Sequence, residues 1–379
     1  MTPRATLVFL PGLLVACNGR PAPSLLPAVL DAEVVATLLL VGDTGAPWPD
    51  PDPTFGALAD MAGRNPQRTA IVFLGDNIYP RGLPPEGAPD RAHAEEVLRA
   101  QVDIAREKGV RAWFVLGNHD WDYHSPEGLE SARRQAVWVR ERGEGLAEVV
   151  PEGGCPGPEV RDMGEAWRLI FLDTQWWLHQ GPKPVQGDTT CVVADSAGIV
   201  EALRTAIAEA GPRRVVVAAH HPLASGGRHG GHFGFRHHLF PLRELESWAW
   251  LPLPIVGSIY PLGRQRGASD QDFSGIRNRA MRGALNQVFA DQPPLVFAAG
   301  HEHALQVIQG RNLPVHLVSG SGSTDHGSWV DWLDSTRYAT SKTGWMRLDL
   351  LNNGRVRASV ITLDEDNKPS ETWADWLGQ

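Results

Sequence analysis

Six short apolar runs punctuate the chain, each stopped by Gly, Asp or His. They are Val34–Val41, Thr69–Leu74, Arg111–Leu116, Arg168–Leu172, Arg214–Ala219 and Leu295–Ala299. Unbroken apolar character, rich in Val, Ile, Leu and Phe, predicts strands covered on both faces. Between them, Asp90–Lys108, Glu127–Arg142, Ser196–Ala210 and Ile276–Phe289 carry helical spacing. The C-terminal part changes character. Ala304–Ile308, Val315–Val318, Gly344–Leu350 and Arg355–Thr362 read as consecutive strands, with Asn352-Asn353-Gly354 as a hairpin signal. Alternating β and α units followed by strand-only material predict a layered α/β sandwich.

Two stretches break this rhythm. Residues 223–275 hold Gly226-Gly227, Gly230-Gly231, several prolines and a dense His/Arg cluster. Irregular segments of that length are uncommon unless they are functional, and this one is expected to fold over the active site. Within it, Leu251–Leu262 is apolar and broken by proline, suited to walling a pocket or meeting a partner or lipid surface. The N-terminus is the other exception. A short start with one positive side chain precedes apolar Ala5–Ala16, a length suited to a signal-peptide core and too short for a membrane span. It ends Leu14-Val15-Ala16-Cys17, which resembles the lipobox of bacterial lipoproteins. That resemblance implies a lipid on Cys17, a membrane-anchored protein and a place in the bacterial cell envelope, facing the periplasm or exterior. The organisation expected is a signal peptide at 1–16, a tether at 17–33, a catalytic domain at 34–365 and a tail at 366–379.

Composition narrows the classes. The 379 residues carry a net charge of −9 and no basic run, which argues against nucleic acid as a partner. Beyond Cys17 only Cys155 and Cys191 remain. In an oxidising compartment they can pair, closing a loop worth about 3–4 kcal/mol in the chain-entropy model; the alternative is two free thiols. Oligomeric state is not legible.

The chemistry sits at the ends of the apolar runs. In order, the chain reads Gly42-Asp43-Thr44-Gly45, Gly75-Asp76-Asn77-Ile78-Tyr79, Gly117-Asn118-His119-Asp120, Val217-Ala218-Ala219-His220 and Gly300-His301-Glu302-His303. Ligands of open α/β sheets gather beyond the carboxyl ends of strands. Asp43, Asp76, Asn118, His220, His301 and His303 are therefore expected to converge, and carboxylate, amide oxygen and imidazole together suit first-row metals and zinc.

These motifs, in this order, resemble those of the calcineurin-like metallophosphoesterases, and among them look most similar to the purple acid phosphatases. The resemblance covers roughly Val34 to Thr362. It implies a four-layer αββα sandwich, two packed mixed sheets flanked by helices. Where many relatives open with Asp-x-His, Gly45 stands here, and Tyr79 follows Asp76 by three residues. By resemblance, Asp43, Asp76, Tyr79 and His303 hold the first metal, Fe(III). Asp76, Asn118, His220 and His301 hold the second, Fe(II), Zn or Mn, with Asp76 bridging. The implied reaction is hydrolysis of phosphomonoesters by attack of a metal-bound hydroxide, with His119 at the substrate phosphate or leaving group. His221 is a candidate partner at the same site. Asp120 would orient His119 or cap the following segment. Arg228, His229 and His232 are candidates for contact with an anionic substrate. A phosphodiesterase or nucleotide/phospholipid hydrolase on the same site remains open, as does a non-catalytic metal- or phosphate-binding surface lipoprotein.

Overall fold

The computed structural model describes residues 24–47, 52–244, 248–310, 314–323 and 328–378. Cys17 and the expected signal peptide lie outside the described residues. Among the described residues no helix is long and apolar enough to cross a membrane.

The chain builds most of one sheet, then a second, and then returns to the first. Strands β1 (Val34–Val41), β2 (Thr69–Leu74), β3 (Arg111–Val115) and β4 (Ala147–Val149) are parallel neighbours. The second sheet follows as β5 (Glu159–Met163), β6 (Trp167–Phe171), β7 (Arg214–Ala218), β8 (Val296–Ala299), β9 (Leu305–Gln309), β10 (Val315–Ser319) and β11 (Thr336–Thr340). Its order is β11-β9-β10-β8-β7-β6-β5, parallel from β10 through β6. The chain then adds β12 (Gly344–Leu351), β13 (Val356–Leu363) and β14 (Pro369–Leu377) antiparallel to the other side of β1.

Alternation along each strand separates three cores. Leu38, Leu40, Val72 and Trp113 of the first sheet face Trp167, Leu169, Val216 and Leu317 of the second. The intervening Leu39, Ile71 and Phe73 pack with Phe55, Leu58, Leu98 and Trp138 of the helices Pro53–Ala62, Arg91–Lys108 and Gly128–Arg142. Ile170, Val217 and Phe297 do the same with Leu203, Leu285 and Phe289 on Ser196–Ala208 and Ile276–Asp291. The result is the expected four-layer αββα sandwich.

Two expectations about the chain's organisation need correction, and one element is new. Residues 366–379 are not a separate tail: Pro369–Leu377 is an edge strand of the first sheet, and Arg357 pairs with Glu371 across it. Nor is all of 17–33 a loose tether. From Ser24 the chain is tied to that strand, with Ala374 N–H donating to Ser24 and Arg357 to the Leu26 carbonyl. A helix at Pro53–Ala62 was not expected. It starts where Asp52 accepts from Thr54 N–H (2.8 Å) and Pro53 supplies a pre-set first turn.

One core residue gives a pH prediction. His316 is buried on β10 and donates from Nδ1 to the Pro314 carbonyl. Burial pushes its pKa down to about 4, against an ordinary value near 6.5. Above about pH 6.5 both folded and unfolded chains hold it neutral. Below that the unfolded chain takes up a proton the folded one resists, so stability is lost as pH falls towards about 4. His316→Leu is expected to lose less unfolding free energy than the wild type between about pH 7 and about pH 5, measured by denaturant titration.

Candidate metal centre

Parallel strands deliver the motifs to one edge. β1 runs into Asp43, β2 into Asp76, β3 into Asn118, β7 into His220 and β8 into His301. Backbone bonds lace these turns together: Gly42 N–H donates to Ser319, Asp43 N–H to Gly75, and Gly300 N–H to His220. Three of the donor-bearing residues, Asp43, Asp76 and His301, have φ between 54° and 67°. Non-glycine residues rarely adopt that left-handed region, and it persists where surrounding structure over-determines it.

Two glycines set the fit. At Gly75 (φ 91°) a Cβ would sit 2.5 Å from His220 Nδ1. At Gly45 a Cβ would meet Ile78 N at 2.4 Å. The first turn is pressed onto the second, with Gly45 N–H donating to Asp76 and Tyr79 N–H to Gly45. A histidine at 45 has no room, and the same close approach brings Tyr79 inward. The absence of one donor and the presence of the other share one backbone arrangement.

The donors form two groups that meet at one atom. Tyr79 OH lies 3.1 Å from Asp43 Oδ1, 3.1 Å from Asp76 Oδ2 and 3.2 Å from His303 Nε2. On the other side, Asp76 Oδ2 is 3.3 Å from His220 Nε2, which is 3.1 Å from Asn118 Oδ1 and 3.2 Å from His301 Nδ1. The second oxygen of each carboxylate is already used: Asp76 Oδ1 accepts from His119 N–H and Asp43 Oδ2 from His301 N–H. Asp76 Oδ2 is the atom that touches both groups.

Lone pairs in the second group face one another. His220 places Nδ1 against the Leu74 carbonyl (2.8 Å), and His301 places Nε2 against the Gln271 carbonyl (3.0 Å). A carbonyl only accepts, so those nitrogens carry the protons. His220 Nε2 and His301 Nδ1 are left as acceptors, aimed at each other, at an amide oxygen and at a carboxylate. Such a set is stable only around a cation or an added proton. Burial opposes protonating His220, but Asp76 outweighs it and pushes the pKa up to about 9. A metal ion would take that proton's place. Burial alone would raise Asp76, yet His220 and His119 hold it well below the usual carboxylate range. Burial, then the charges of Asp43 and Asp76, push the Tyr79 phenol well above its ordinary value. It can ionise only if a strong Lewis acid offsets those carboxylates. The residues present therefore fit a pair of cations.

The remaining expected residues separate. His119 is partly exposed beside the first group, 3.9 Å from Asp76 Oδ2, and burial pushes its pKa down. Asp120 does not touch the His119 side chain, which corrects the orienting role. It is fully buried and accepts from the backbone of Asn77 and Gly117 and from the side chains of Asn77 and Gln135. Burial and the charge of Asp76 push it up to about 7. Its place is to tie the second turn to the third. His221 lies at the centre, grouped with His220 and His301 in a buried cluster able to hold a metal ion. It is fully buried, and both ring nitrogens are taken, Nδ1 by Thr174 Oγ1 (2.9 Å) and Nε2 by Gln271 Oε1 (2.7 Å). Its ring packs 4.4 Å from that of His301.

The insertion meets the centre at both of its ends. The His229 ring packs tilted against that of His301 (4.0 Å) and places Nδ1 2.9 Å from Asp272, which Arg264 also grips. Gln271 reaches both His221 and His301. Buried Glu302 accepts from the backbone of Arg228 and His229 and from Ser225, fastening the stretch that carries His229. Arg228 N–H donates to Glu302, and His232 N–H donates to the Gly227 carbonyl. The middle of the insertion turns outward, exposing Phe235, Trp248, Trp250, Leu251 and Ile255. Gln271 and Thr174 escaped the sequence reading because no motif marks them; Glu302 stands inside the fifth motif, between two donor histidines, and only its partners reveal its part.

Carboxylates, a phenol, an amide and imidazoles at the strand ends of two facing sheets define the class: a hydrolase built around a metal centre. The chain belongs to the calcineurin-like phosphoesterase family, whose model matches residues 36–244. Among solved structures it is similar to GAP50, described as the anchor in the inner membrane complex of Plasmodium, at 16% identity and a TM-score of 0.55, covering 90% of this chain and 88% of that one. It is also similar to purple acid phosphatase PPD1 from yellow lupin (Lupinus luteus) seeds, at 12% identity and a TM-score of 0.50, covering 89% of this chain and 53% of that one. At these identities the likeness concerns the fold. No curated protein matches the chain.

Proposed function

We propose that this metallophosphoesterase is an exported phosphatase that hydrolyses phosphomonoesters at a two-metal centre. The observation that carries the reading is the pair of donor groups that meet at Asp76 Oδ2: Asp43, Tyr79 and His303 would hold one ion and Asn118, His220 and His301 the other, the donor set that two-metal hydrolysis needs. When bound, the metals supply an activated water and positive charge at the phosphate. The protein's own part is orientation. His220 and His301 are locked by the Leu74 and Gln271 carbonyls, and the left-handed turns fix Asp43 and Asp76. Half-buried His119 lies beside Asp76 and half-buried His229 beside His301, and both would offer imidazole donors to an incoming phosphate.

In this reading Fe(III) sits with Tyr79 and Fe(II), Zn or Mn sits with His220. The Cys155–Cys191 disulfide suits an oxidising compartment, which supports export and a lipid anchor on Cys17 in the bacterial envelope. The partner is a phosphorylated small molecule rather than nucleic acid. The test is a comparison of turnover on a model monoester and a model diester. Clear monoesterase activity is expected; background monoester turnover with strong diester turnover would replace this reading by a phosphodiesterase.

A further inference from the structure

We propose that the outward-turned middle of the insertion, residues 235–244 and 248–262, is a docking surface for an anionic lipid bilayer. It would enter the bilayer at the level of the headgroups. The assignment goes beyond the hydrolytic reading and does not depend on it. Nearly half of the large apolar side chains exposed among the described residues fall in this short stretch. Phe235, Trp248, Leu251, Ile255, Val256 and Ile259 are each more than half exposed. Exposed apolar side chains gathered in this way mark an interaction site rather than ordinary exterior.

These side chains are presented by a fixed frame. Ile255 centres a three-residue turn closed by Val256 N–H on the Pro254 carbonyl (2.8 Å), with φ of 69° and ψ of −60°. That is the rare, strained form of the turn, and a β-branched residue in it is an outlier. The Ile255 side chain is left 89% exposed, so core packing gains nothing from the strain. Behind the tip, Leu253 N–H donates to Leu239 and Gly257 N–H to Leu253, both at 2.7 Å, and His238 Nδ1 lies 3.1 Å from Ser258 Oγ. Gly257 is pressed so closely on the His238 carbonyl that a Cβ has no room. The helices Phe235–Leu239 and Ile259–Gln265 are thereby joined through the turn between them. The Phe240 and Trp250 rings, 5.4 Å apart, add the tryptophan stretch to the same lobe.

Charge and side-chain type select the occupant. The whole chain carries −9, yet residues 235–266 hold four arginines against two glutamates. Arg264 is taken up by Asp272, whereas Arg236 and Arg266 are exposed and Arg243 lies over the Trp250 ring at 3.7 Å. Guanidinium beside tryptophan, with isoleucine and leucine projecting, matches a boundary where phosphate headgroups overlie acyl chains. The start of the described chain leads the same way. Leu25 pairs parallel with Ala374, so traced backwards the chain follows the edge strand towards Pro369. Pro369 pairs with Leu363, which bonds to Thr343, then Ser323, then Asp43, so that end of the sheet is the one carrying the metal centre. Cys17, the proposed lipid carrier, precedes Ser24 by seven positions, a reach of about 25 Å at most. Both ends of the insertion also meet the metal centre, so docking would fix the centre's orientation to the bilayer.

Amide hydrogen exchange of the full chain, metals in place, tests this with two kinds of vesicle: phosphatidylcholine alone, and an equal mixture with phosphatidylglycerol. The mixed vesicles are expected to slow exchange across residues 248–262 by about threefold or more, and phosphatidylcholine alone to slow it less. In Ile255→Glu/Ile259→Glu the slowing should disappear, with metal content and turnover in solution unchanged. No slowing in the wild type, equal slowing in the variant, or equal slowing by both kinds of vesicle overturns the assignment. Slowing without vesicles that grows with protein concentration overturns it too, in favour of a second copy of the chain. A wild type lacking phosphatase activity would count against the hydrolytic reading alone and leave the vesicle result readable.

Discussion

Asp76→Asn is expected to abolish turnover, with a fall in kcat of at least about 10³-fold. The substitution keeps the volume and one oxygen to accept from His119 N–H, so the turn after β2 survives. What disappears is the negative charge and the oxygen that faces Tyr79, His220 and both donor groups at once. Neither group is complete without it. Metal analysis of the purified variant should give fewer than two ions per chain, while its melting temperature without metal stays near that of the wild type. An active variant with two bound metals would refute the shared-atom arrangement.

The second large effect concerns Tyr79. In the wild type the phenol is pushed well above its ordinary pKa by burial and by Asp43 and Asp76, so it is neutral unless a strong Lewis acid binds. A tyrosinate bound to Fe(III) absorbs visible light, so the purified wild type is expected to be coloured. Tyr79→Phe keeps the ring beside His119 and removes only the oxygen. The visible band should vanish. Activity should fall by about tenfold or more, because Asp43 and Asp76 then face each other without their common partner. Elemental analysis with a visible spectrum of both proteins checks this. A colourless, iron-free and fully active wild type with zinc or manganese would reject the iron assignment and leave the phosphoesterase class standing.

Much of the scaffold was legible because buried parallel strands carry an unmistakable pattern. Val34–Val41 and Thr69–Leu74 appear with the bounds the apolar runs indicate, and the helices of the expected spacing differ by a residue or two at their ends. The misses have local causes. Pro369–Leu377 is an edge strand broken by Glu371 and Asp375, so its apolar signal is weak. Thr174–Leu178 and Phe235–Leu239 are single short turns without a periodic face. At the site, the donor types were readable because each follows a strand, but roles were not. Asp120 stands two residues past Asn118 in sequence, yet it turns into the interior and ties two turns together. His229 lies nine residues past His220 and returns to pack against His301.

By itself, then, the sequence determined which elements form and which metal-binding side chains stand at their ends. Those features depend on neighbours along the chain, through periodicity and turn chemistry. Only the tertiary structure decided which atoms meet. Asp76 Oδ2 becomes common to both groups, Gly45 excludes a side chain, and Glu302 fastens the His229 stretch. Each depends on close packing between turns that are far apart in sequence, where a few tenths of an ångström settle whether a side chain fits, and no local pattern encodes that distance.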